Sequence, residues 1–125
     1  MISSLDHLVL TVADISRTVT FYTTVLKMKE ITFGDNRKAL VFGNQKINLH
    51  QKDFEFKPHA ESPTMGSSDL CFISEVSLNI LISELKQNNV EIIEGPVERT
   101  GAMFKILSVY FRDPDGNLIE VSTKL

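Results

Sequence analysis

Four side chains of metal-ligand type stand out in strand-like runs of this sequence: His7 in LDHLVLTV, His50 in INLHQ, Asp69 in SDLCF and Glu120 in NLIEVS. Successive strand residues point to opposite faces, so Leu5, His7, Val9 and Thr11 share one side of the first run and Leu8, Leu10 and Val12 the other. The same rule parts Asn48 and His50 from Ile47 and Leu49, and Glu120 from Ile119 and Val121. His7, His50 and Glu120 therefore each face away from the most apolar stripe of their own strand. A lone strand histidine usually just finds a hydrogen-bond partner. Two imidazoles and a carboxylate, with positions left open for water or substrate, are a set used by Fe(II), Mn, Ni and Zn sites. Strands suit such a set because they hold ligand atoms on fixed vectors, about 2.0–2.2 Å from an ion.

The elements that position these residues follow one order, met twice. After the first strand, Asp14 is placed to cap a helix whose Ile15, Val19, Tyr22, Val25 and Leu26 keep helical spacing. Three strand-like runs follow, KEITFG, RKALVFG and QKINLHQ, with GDN and GNQ as hairpin turns. The proline-bearing KDFEFKPHAESPTMG reads as a connector. SDLCFI then restarts the pattern: a helix marked by Leu78, Leu81, Ile82 and Leu85, and strands in VEIIEG, KILSVYF and NLIEVS. Laying the halves on one another puts Asp69 in the place of His7. The predicted class is α+β, one domain of two β-α-β-β-β modules, 4–51 and 67–123, joined by connector 52–66. Each module leaves one sheet face bare, and two of them cover it by curving into a shared, partly open barrel with its ligand site inside.

Composition narrows the function classes. With 125 residues, 42% of them hydrophobic, there is enough chain for one core and too little for two ordinary domains. Thirteen basic against sixteen acidic residues, with no basic run, argue against a nucleic-acid partner. The single cysteine, Cys71, forms no internal disulfide. No apolar run reaches the roughly 18 residues of a membrane span. A soluble, cytoplasmic protein is expected.

DHLVLTV near the start and YFRDPDGNLIEVS near the end resemble the vicinal oxygen chelate superfamily of glyoxalases, bleomycin-resistance proteins and extradiol dioxygenases. RKALVFGNQKINLHQ, GSSDLCFI and GPVERTGA are similar to its glyoxalase domain-containing protein 5 subgroup. The resemblance spans essentially the whole chain, and DPDGNLIE is its most specific segment. It implies one divalent ion, Ni, Zn, Mn or Fe, with His7, His50 and Glu120 as ligands. The position often filled by histidine in glyoxalase-type members falls on Asp69, which is either a fourth ligand or the general base. Glu120 serves in proton transfer only by partly leaving the metal.

Asn48, on the face of His50, and Arg99, in VERTGA ahead of a strand, are the candidate substrate-binding residues. DPDG is first a turn, with Pro114 presetting φ, Gly116 taking a positive φ and Asp113 and Asp115 capping amides. Free cysteine is usually a small apolar filler, and Cys71 is given no chemistry. Two function classes follow. One is a metal-dependent enzyme acting on a small molecule with vicinal oxygens, a glyoxalase-like lyase or isomerase or a dioxygenase. The other is a metal-free, antibiotic-sequestering protein of the bleomycin-resistance type. The two histidines and Glu120 favour the first. Exposed strand edges and superfamily precedent point to a homodimer, with Phe54 and Phe56 of the connector as candidate contacts.

Overall fold

A computed structural model describes residues 1–125. The chain divides into two compact units, Met1–Met65 and Gly66–Leu125. The first holds β1 (His7–Val12), α1 (Ile15–Thr24), β2 (Lys29–Phe33), β3 (Arg37–Phe42) and β4 (Gln45–Gln51). The second repeats the order with β5 (Asp69–Ile73), α2 (Leu78–Gln87), β6 (Glu94–Thr100), β7 (Lys105–Arg112) and β8 (Leu118–Lys124). Each unit is thus a four-stranded sheet with one helix, in the orders β1-β4-β3-β2 and β5-β8-β7-β6, and the class is α+β. In both, the first strand runs parallel to the last and the remaining pairs are antiparallel. Neither helix is long and apolar enough to cross a membrane.

Local chemistry explains the first unit's elements. The Asp14 carboxylate accepts the Arg17 amide at 3.1 Å, satisfying one of the amides orphaned at the start of α1. Gly43, at φ +52, opens the two-residue turn between β3 and β4, which sets their register at Leu40 opposite Ile47 and Ala39 opposite Asn48. Leu10, Val12, Leu40, Ile47 and Leu49 are buried with Val19 and Tyr22 of α1, which packs on β2, β3 and β4. In the second unit Val109, Phe111, Ile119 and Val121 are buried with Leu78, Leu81 and Leu85 of α2. The helix-facing layers are apolar, and the polar residues of both sheets fall on the opposite faces.

One expected strand is displaced. VEIIEG does not form the second strand of the second unit: Val90–Ile93 precede it, and β6 starts at Glu94. Arg99, expected in a loop, therefore lies on a strand. The pairing of β6 with β7 slips between Glu94 and Val97, around Pro96, which has no N–H to donate and is tolerated on this edge strand.

Candidate functional site

The register of the second unit brings its acidic residues together. Asp69 pairs with Leu118 and Cys71 with Glu120 across β5 and β8, so Asp69, Cys71 and Glu120 share the face turned away from α2. Tyr110 lies opposite Glu120, and Ser108 opposite Ser122, on the same face of β7 and β8. The Ser108 hydroxyl donates to Glu120 Oε2 at 2.6 Å and stands 2.6 Å from Ser122 Oγ, which is 3.4 Å from the same carboxylate oxygen. Ser108 and Ser122 are fully buried, and Glu120 is part-buried. Arg99 Nε donates to the Tyr110 hydroxyl at 3.0 Å, while its other nitrogens donate to Glu94 Oε2 and the Glu98 carbonyl, both at 3.1 Å. Burial pushes the Tyr110 hydroxyl pKa up, the Arg99 hydrogen bond opposes this, and the Glu120 charge adds to it. Tyr110 thus keeps its proton.

A latch holds this register. The buried Asp113 carboxylate accepts the Asp115 and Asn117 amides, each at 2.9 Å, and the Asn117 side-chain amide at 2.8 Å. Asn117 Oδ1 in turn accepts the Ser68 amide at 2.9 Å, and the Leu118 amide bonds the Ser68 carbonyl. The turn ahead of β8 is thereby tied to the residue ahead of Asp69. Gly66, at φ +74, lets the chain pass: a Cβ there would stand 2.5 Å from the Asp115 carbonyl oxygen. Cys71 is exposed as a residue, not buried as a filler would be, yet its thiol is partly desolvated, and this together with the Glu120 and Asp69 carboxylates pushes its pKa up.

In the first unit the two histidines share a face but are not neighbours. His7 pairs with Lys46, whereas His50 pairs with Thr11 at the far end of the β1–β4 ladder. Four residues of strand separate the two levels, on the order of 13 Å at 3.3 Å per residue. His7 is exposed, with Nδ1 donating to the Asp6 carboxylate at 2.8 Å. His50 is 2% exposed, and the Arg37 guanidinium donates to its Nε2 at 3.4 Å. Burial, and after it the Arg37 charge, lower the His50 pKa, so the ring is neutral. A nitrogen that faces a guanidinium is poorly placed to receive a second cation. Phe56, expected at a contact between chains, stacks on Arg37 at 4.4 Å, and Phe54 remains 77% exposed.

Arg37, Tyr110, Ser108 and Asn117 were not singled out by residue type. The two-residue hairpin turn carried the signal for Arg37, because it sets Arg37 one rung beyond the Lys38–Leu49 pair and so beside His50.

Neither unit gathers three His, Cys, Asp or Glu side chains into a group able to hold a metal ion. The donors still suit a divalent ion individually. Glu120 is oriented through Oε2 by a serine, with Asp69 diagonal to it on the neighbouring strand, and His7 keeps Nε2 clear while Asp6 fixes the ring. The family model for the Glyoxalase/Bleomycin resistance protein/Dioxygenase superfamily matches residues 4–121. The chain belongs to this superfamily. Virulence protein STM3117 of Salmonella typhimurium is 59% identical over 122 residues, covering 98% of this chain and 85% of that one. Its crystal structure superposes with a TM-score of 0.97 at 58% identity, covering 100% of this chain and 99% of that one. The metallothiol transferase FosB of Staphylococcus saprophyticus is 32% identical over 124 residues, covering 98% of this chain and 78% of that protein. Lactoylglutathione lyase of Agrobacterium tumefaciens shares the superfamily fold, with a TM-score of 0.73 at 19% identity over 97% of this chain and 93% of that one.

Proposed function

We propose that this protein is a divalent-metal-dependent enzyme acting on a small molecule with two adjacent oxygens, with Glu120 as a metal ligand and Asp69 as the proton-transfer group beside it. The observation that carries this reading is the setting of Glu120. Ser108 holds one carboxylate oxygen at 2.6 Å, and an acidic side chain shares its face one step away. A carboxylate tied by one oxygen in this way presents the other in a fixed direction, as oriented metal ligands do. The similarity to FosB, whose name joins metal and thiol transfer, supports metal dependence.

His7 is proposed as a ligand on its own geometry, since a carboxylate bonded to one ring nitrogen orients the other for a cation. His50 is not proposed, because its Nε2 is given to Arg37. When bound, the ion supplies Lewis acidity that stabilises negative charge on the substrate oxygens. Asp69, exposed and on the Glu120 face, takes the proton from the substrate atom next to those oxygens. Ser108, Tyr110 and Arg99 are positioning residues that keep the Glu120 carboxylate in place. The reaction class is lyase or isomerase, or ring-opening oxygenation, and the working unit is a homodimer.

Elemental analysis of protein purified without chelator tests the reading, with about one divalent ion per chain expected. Protein that carries none, and shows no heat of binding for added Mn, Fe, Ni or Zn, would overturn it. Sedimentation at micromolar concentration tests the dimer.

A further inference from the structure

We propose that the first unit carries an anion subsite of its own, in which Arg37 and Asn48, covered by Phe56, take a small 2-hydroxycarboxylate. Arg37 is an unsatisfied cation. It has no carboxylate within ion-pair distance, its Nε is buried without an acceptor, and its one hydrogen bond is the 3.4 Å contact to His50. Its guanidinium lies between two rings, with centroids 5.2 Å away at Phe33 and 4.4 Å at Phe56. Rings attract the charge but offer no acceptor to a buried N–H, which costs free energy while it stays unpaired.

Asn48 has the opposite deficit. It is 6% exposed, it lies on the face of Arg37 and His50, and its Oδ1 is buried with no donor. The missing partners define the ligand. A guanidinium edge matches the two coplanar oxygens of a carboxylate, and Asn48 Oδ1 requires an O–H or N–H beside it. A hydroxyl on the carbon next to a carboxylate supplies both. Lys46, 4.0 Å over the Phe33 ring on the same face, adds positive potential. The nearby Glu55 carboxylate is turned to the Asp53 amide at 3.0 Å and leaves Arg37 unpaired. Phe56 is 37% exposed, stacked on the guanidinium and edge-on to His50 at 5.6 Å, so it is the ring a ligand must displace to reach Nε. This subsite does not depend on the carboxylates of the second unit.

The test is an NMR titration of the full chain, ¹⁵N-labelled at arginine, with chelator present to exclude capture through a metal. The probes are glycolate, acetate, which lacks the hydroxyl, and glycolamide, which lacks the charge. Glycolate and acetate should shift the Arg37 Nε–H signal, glycolate binding several-fold more tightly, and glycolamide should not. Phe56→Ala should strengthen both. Asn48→Ala should remove the preference for glycolate, and Arg37→Gln, which removes the reporter and is therefore followed by calorimetry, should abolish binding. An Nε–H signal unmoved by glycolate in both wild type and Phe56→Ala would overturn the proposal. So would an equal response to glycolamide, or unchanged glycolate binding in Arg37→Gln.

Discussion

Ser108 and Glu120 meet diagonally across β7 and β8, the serine hydroxyl donating to Oε2 at 2.6 Å from a fully buried position. The bond orients a carboxylate that would otherwise rotate at a partly open face. Ser108→Ala should therefore weaken divalent-metal binding roughly 10- to 100-fold, as loss of an orienting partner does. Glu120→Gln should lower it further. Competition against a chromogenic chelator measures both, and a Ser108→Ala protein with wild-type affinity would deny the bond this role.

The two histidines should separate by metal content. His7→Ala should lose metal, and Asp6→Asn should weaken binding on the order of tenfold by freeing the imidazole. His50→Gln should keep it, because that ring serves Arg37 and the buried layer. Metal lost in His50→Gln but kept in His7→Ala would reverse the assignment.

His50 also sets a pH dependence of stability. Its native pKa lies below the ordinary value of 6.5, chiefly through burial, then through the Arg37 charge, with Glu55 pulling it up and His59 adding a further lowering. In the unfolded chain the ring takes a proton near pH 6.5, while in the fold it resists protonation until lower pH. The stability tied to the neutral ring is therefore full above pH 6.5, and it is lost as pH falls from there through the lowered native value. Urea midpoints at pH 7.5 and 5.5 should drop less in His50→Gln than in wild type, and equal drops would refute the link.

Asn117 bridges Asp113 to the Ser68 amide while almost fully buried. Asn117→Ala removes the acceptor of the Ser68 amide and one donor to Asp113, and it should cost about 2–3 kcal/mol of stability. Chemical denaturation reads this directly, and a loss within about 0.5 kcal/mol would show that water replaces the latch.

Element order, the Asp14 cap and both hairpins of the first unit were legible because each rests on local chemistry: alternation, a capping side chain, a glycine at positive φ. β6 was not, since its pairing slips at Gly95–Pro96 and an apolar run in the sequence cannot show where a partner strand will accept it. Alternation turned Glu120 away from the apolar stripe of its own strand, and the β5–β8 register is what puts Asp69 on the same face. Joining His50 to His7 failed on register. Both point to the same side of their strands, but alternation says nothing of their separation along the ladder, which the β1–β4 pairing sets. Arg99 is expected from the sequence to bind substrate, yet its nitrogens are engaged by Tyr110, Glu94 and Glu98, and Arg37 is the guanidinium with donors to spare.

The chain has two tyrosines and no tryptophan, and the tyrosines fall one to each unit: Tyr22 fully buried under the first sheet and Tyr110 beside Glu120 in the second. Ultraviolet spectroscopy is thereby divided by unit without any label. In Tyr22→Phe protein, phenolic fluorescence and difference absorbance report only on the surroundings of Glu120. In Tyr110→Phe protein they report only on the core beneath β1–β4. Titrating metal into the first would follow the Glu120 site through its own chromophore, and melting both would show whether the units lose structure together or in turn.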